Sequence, residues 1–128
     1  MKKINITLIL LSFTFALFAQ KKSLLLLKYE QNYTPTYYEV VEMYQLLDAN
    51  YENAKLIENG LTDSGKPLHT FIINNENEFN PEKIKKQGKS VLLINNSIHP
   101  GEPAGIDASL QFADDILRDK NGIASLLE

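Results

Sequence analysis

The chain has no cysteine and only two histidines, His69 and His99, in 128 residues. Without cysteine there is no disulfide framework, no thiol nucleophile and no lipid-modified N-terminal cysteine. Basic residues are also in short supply, 13 Lys and Arg against 16 Asp and Glu, for a formal charge of -3. No basic stripe is threaded with aromatics, which excludes nucleic acid as the expected partner. The one long apolar run, "INITLILLSFTFALFA" after Lys2 and Lys3, is shorter than the roughly 20 residues a membrane-spanning helix needs.

That run has the layout of a secretory signal peptide: two lysines, an apolar stretch, and the small residue Ala19 at a cleavage position. Residues 1–19 are therefore read as a leader and 20–128 as the mature part, secreted or periplasmic, with no membrane attachment after cleavage. Removing two lysines takes the charge from -3 to -5. An exported domain without disulfides must be held by its core, a metal or its size. The stretch Leu24–Leu27 is compatible either with an extension of the leader's apolar character or with a short strand.

Further along, "TPTYYEVVEMYQLLDANY" opens with a capping box, in which Thr36 accepts from the N–H of Glu39 and the Glu39 carboxylate reaches back to Thr36. Val40, Tyr44, Leu47 and Tyr51 follow at helical spacing, so a helix of about four turns is predicted, its tyrosines lining a core. "AKLIENG" and "KPLHTFIINN" read as two short strands around the turn residues Asp63-Ser64-Gly65. Alternation places His69, Phe71 and Ile73 on one face of the second strand, which makes His69 a half-buried, hydrogen-bonded strand residue rather than a metal ligand. "NENEFNPEKIKKQGKS" mixes lysines and glutamates as a solvated connection.

"SVLLINN" has the continuous apolar profile of an interior strand covered on both faces. It leads into His99, Pro100, Gly101 and Glu102, and then Pro103, favoured at the first position of a helix. Ile106, Leu110, Ala113 and Leu117 form that helix's buried stripe, and "RDKNG" ends it. Asp114 and Asp115 are placed on its solvated face near Arg118, and Asp107 is expected either to complement the helix dipole or to orient a metal ligand. Strand, loop and helix in this order make half of a βαβ unit, so the predicted fold class is α/β, a partial mixed sheet flanked by helices.

In open α/β sheets, chemistry gathers at the loop leaving a strand's carboxyl end, where His99 and Glu102 fall. An imidazole and a carboxylate are ordinary zinc donors, and catalytic zinc takes three protein ligands and a water. The four-residue spacing is by itself a weak signal. The residues alone leave three readings: metal ligation, a dipole-complementing Glu102 beside a solvent-exposed His99, or His99 as a metal-free general base.

Taken together, Tyr38 and Val41 of the "Y-x-E-V" helix, the Gly60–Leu68 passage "G-x-x-x-x-G-K-P-L" and "LLINNSIHPGEPAGIDA" resemble the N-terminal part of the zinc metallocarboxypeptidase family with the His-x-x-Glu motif. Lys66 stands where that family more usually has arginine. The resemblance implies Zn2+ as cofactor, His99 and Glu102 as its first two ligands, and a peptide as substrate. It also implies that residues 20–128 are the incomplete N-terminal portion of a catalytic domain, inactive alone. The third ligand, the general base and the residues that grip the substrate would lie beyond residue 128. A zinc amidohydrolase removing acyl groups from amino acids shares such a neighbourhood, and a noncatalytic binding domain on the same scaffold is the alternative from another class.

Overall fold

The computed structural model describes residues 21–99 and 101–127. The expected leader, residues 1–19, lies outside them. Element order is a short 3-10 turn at Tyr29–Gln31, helix α1 at Tyr37–Asn50, strands β1 at Ala54–Leu61 and β2 at Pro67–Ile73, helix α2 at Pro81–Lys86, helix α3 at Ala104–Leu117, and a 3-10 segment at Lys120–Leu127. The result is a small mixed α/β domain with a two-stranded sheet flanked by helices.

The predicted capping box starts α1. Thr36 is extended at φ -70 and ψ 166, its side chain accepts from the Glu39 N–H, and the Glu39 carboxylate accepts from the Thr36 N–H at 2.8 Å. Both exchanges satisfy backbone donors that the first helical turn leaves open. The Tyr33 hydroxyl donates to the same carboxylate at 2.7 Å, which anchors the incoming chain to the helix start. At the other end, Asp48 accepts from the Leu56 N–H at 3.2 Å and from Lys55 Nζ at 3.3 Å, fixing α1 against β1.

β1 and β2 pair antiparallel, with Ala54 opposite Ile73 and Glu58 opposite His69. Between Glu58 and Leu61 the register slips, so that Leu61 faces Pro67. Gly60, at φ +100, sits in this bulge, a conformation that a side chain would strain. The connecting turn is closed by Thr62 N–H donating to the Lys66 carbonyl at 2.8 Å. Phe71 and Ile73 face the core and His69 is half-buried on the same side, as alternation requires. The His69 ring lies 6.3 Å from that of Tyr37, whose hydroxyl donates to the Pro67 carbonyl at 2.7 Å.

The core forms where α1, the sheet and α3 meet. Leu47, Ala54, Ala113 and Leu117 are buried there, and Leu25, Tyr44, Tyr51, Phe71 and Ile73 pack around them. Tyr44 and Phe71 bring their rings to 4.6 Å between centroids. The expected helical stripes of α1 and α3 thus supply this core, together with Leu25 from an irregular N-terminal stretch that forms neither helix nor strand.

Two expectations are corrected. Val91–Ile94 is not an interior strand: residues 89–98 form no regular element, and Val91, Leu92 and Leu93 are about four-fifths exposed at 79%, 78% and 80%. A strand exists only through its ladder, and among the described residues the sheet consists of β1 and β2 alone, with neither outer edge paired to residues 89–98. Asp114 is not on a solvated face either. It is wholly buried at 0% exposure, because it occupies the stripe between Leu110 and Leu117 and is held there by Arg118.

Candidate metal centre

α3 enters the structure through a tight loop from Asn96 to Pro103, and two residues of that loop adopt left-handed backbone. Ser97 has φ 57 and Gly101 φ 86. For glycine that region is free, whereas for serine it is uncommon and marks a chain held by its surroundings. Pro103 is already helical at φ -69 and ψ -26, with the first full helical residue at Ala104. This agrees with its expected place at the helix start to within one residue.

The double reversal turns the side chains of His99 and Glu102 toward each other. His99 Nδ1 lies 3.1 Å from Glu102 Oε1, with the side chains 69% and 53% exposed. As the pair stands, a hydrogen bond links them, with the ring nitrogen donating to the carboxylate in the matching tautomer. The same separation also suits a shared metal ion. Ordinary zinc–nitrogen and zinc–oxygen bonds are about 2.0–2.2 Å, so both atoms could serve as donors to one ion.

The donor set is one nitrogen and one oxygen, which fits zinc in kind and supplies two of the three ligands a catalytic site takes. Among the described residues, no group of three or more His, Asp or Glu is placed to hold a metal ion. His69 stays in β2, opposite Glu58, and does not join the pair. Asp107 is buried and its Oδ1 has no hydrogen-bond partner among the described residues. Among those residues no hydrogen bond joins it to His99 or Glu102, so of its two expected roles the orientation of a ligand is not made in this conformation.

Sequence reasoning passed over the residues that shape the loop. The Ser97 hydroxyl donates to the Glu102 carbonyl at 2.6 Å, closing the loop across its neck. The Asn96 amide donates to Ser109 Oγ at 2.9 Å, and that hydroxyl donates to the Gly105 carbonyl at 2.7 Å. A Cβ at position 105 would stand 2.7 Å from Asn96 Cβ and 2.9 Å from Ser97 Oγ, so only glycine lets the loop lie this close to α3. The signal was the glycine itself: Gly105 inside the first turn costs helix stability and therefore indicates a close approach.

Compared with family models, with curated proteins and with solved structures, the chain matches none. No helix of the described residues is long and apolar enough to cross a membrane.

Proposed function

We propose that the chain carries the first two zinc ligands, His99 and Glu102, of an exported metallocarboxypeptidase-like hydrolase that acts at the C-terminal end of peptides. One observation supports the reading above the others: a loop with two left-handed residues sets an imidazole and a carboxylate 3.1 Å apart at the entry to a helix. Neither side chain is needed for the core, since both are largely exposed. A position open to solvent is what a site needs if a peptide is to reach it.

In this reading His99 presents neutral Nδ1 as a donor and Glu102 presents its carboxylate, which together bring one negative charge to the site. When bound, zinc supplies polarisation of the scissile carbonyl and a water acidic enough to be deprotonated near neutral pH. The loop keeps the two donors in place before the ion arrives, so little ordering is left for binding to do. A third ligand and a general base have to come from outside the described residues.

Metal analysis of the full-length protein, in which the third ligand is present, tests the assignment. His99→Ala is expected to abolish a zinc content of one per chain, and a variant that keeps its zinc with its fold intact rules the site out. The reaction class is tested by product: release of C-terminal residues from peptides, as against release of acetate or succinate from acylated amino acids, which would identify a deacylase.

A further inference from the structure

We infer that Ser97 is a positioning residue for the His99–Glu102 pair, working together with the close approach of Gly105. This rests on the reading of that pair as a metal site, yet it makes a claim about the metal-free chain that can be tested separately.

A non-glycine residue at φ 57 is uncommon, and serine offers little of the local compensation that favours asparagine or aspartate there. Such a conformation persists where surrounding contacts over-determine it. Here the compensating contact is a short hydroxyl-to-carbonyl hydrogen bond of 2.6 Å from Ser97 to Glu102. That bond joins the residue two before His99 to the residue that carries the second donor. It therefore fixes the chord of the loop on which the two donors face each other.

Independent contacts hold the base of the loop to α3. Asn96 is tied to Ser109, and Ser109 to the Gly105 carbonyl, so one chain of hydrogen bonds runs from the loop to the helix backbone. Gly105 removes the side chain that would push Asn96 and Ser97 away. With the base fixed by Asn96 and the neck closed by Ser97, the backbone that carries His99 and Glu102 is held with the two side chains within reach of each other. The hydroxyl of Ser97 touches neither donor atom of the pair and acts only through the backbone.

Ser97→Gly removes the hydroxyl without adding strain, because glycine takes φ 57 freely. Gly105→Ala disturbs the same loop from the helix side by driving a methyl into Asn96 and Ser97. In the metal-free chain, the wild type is expected to show nuclear Overhauser contacts between the His99 ring and the Glu102 side-chain protons. Both variants are expected to lose them while the amide spectrum of α1, β1 and β2 stays unchanged. Co2+ titration, followed by its visible absorption, is expected to show affinity reduced by at least about tenfold in both variants, the range seen when groups that orient metal ligands are removed. Unchanged contacts in Ser97→Gly overturn the positioning role whatever the metal result. Contacts that are lost on substitution, in a full-length protein that supplies the third ligand and yet binds no Co2+ even as wild type, uphold the positioning role and instead remove the zinc reading.

Discussion

Arg118 and Asp114 form a buried ion pair across one turn of α3, Nε to Oδ2 at 2.7 Å, with side chains 9% and 1% exposed. Arg118 also donates to Asp115 at 2.6 Å and to the Lys21 carbonyl at 2.9 Å, so a single guanidinium joins the helix to the first described residue of the chain. The fork geometry of arginine suits this threefold task, and lysine would satisfy only part of it.

Removing one partner of such a pair leaves a charge stranded among Leu110, Ala113 and Leu117. Arg118→Met is therefore expected to destabilise the fold by about 3–5 kcal/mol, and Arg118→Met combined with Asp114→Leu to recover most of that loss. Urea denaturation followed by circular dichroism measures both. Equal destabilisation by the single and double variants would show that the arginine acts through Lys21 and Asp115 rather than through Asp114.

Acid sensitivity should trace to the start of α1. The Glu39 carboxyl is lowered from 4.5 to about 2, first by the Thr36 backbone N–H, then by the Tyr33 hydroxyl and the Thr36 side chain. A depressed carboxyl stabilises the fold fully above its ordinary pKa, and the contribution is lost as pH falls through the folded value. The melting temperature of wild type should thus exceed that of Glu39→Gln at pH 6, and the gap should close as pH drops from 4.5 toward 2. A gap that stays constant across that interval excludes the mechanism. Thr36→Ala, which removes the cap and one hydrogen bond to the Glu39 carboxylate but leaves those from the Thr36 N–H and the Tyr33 hydroxyl, should cost about 0.5–2 kcal/mol at neutral pH.

What could be read before the structure was mostly local. Thr36 and Glu39 announce the helix start because both halves of the capping exchange lie within four residues. His69, Phe71 and Ile73 share a face because a strand alternates, whatever surrounds it. Val91–Ile94 failed for the opposite reason: its strand character depends on neighbours from distant parts of a chain, which its own composition does not contain. Asp114 was misplaced because its charge was weighed above its spacing, although it sits four residues after Leu110 and three before Leu117. Of the candidate site, the two donors stand in the sequence as His-x-x-Glu, whereas their convergence depends on the closeness of Gly105, of which the glycine itself is the trace, and on the backbone of Ser97, which no residue pattern encodes directly.

The exposed run at Val91–Ile94 has a measurable consequence of its own. Val91, Leu92 and Leu93 lie in the open, Ile94 and Ile98 are exposed beside them, and none of these residues belongs to a ladder. An apolar, β-prone segment with free backbone donors and acceptors is a template for pairing with another chain. Protein comprising the described residues is therefore expected to self-associate as its concentration rises, and Leu92→Lys to suppress this by placing a charge that pairing would have to bury. Because Leu92 contributes little to the core, the substitution should change stability by no more than about 0.5 kcal/mol. Sedimentation velocity over a range of concentrations reads the first effect and thermal melting the second. If Leu92→Lys unfolds the protein, the segment is packed rather than open, and the loop that carries His99 must then approach its helix along a different path.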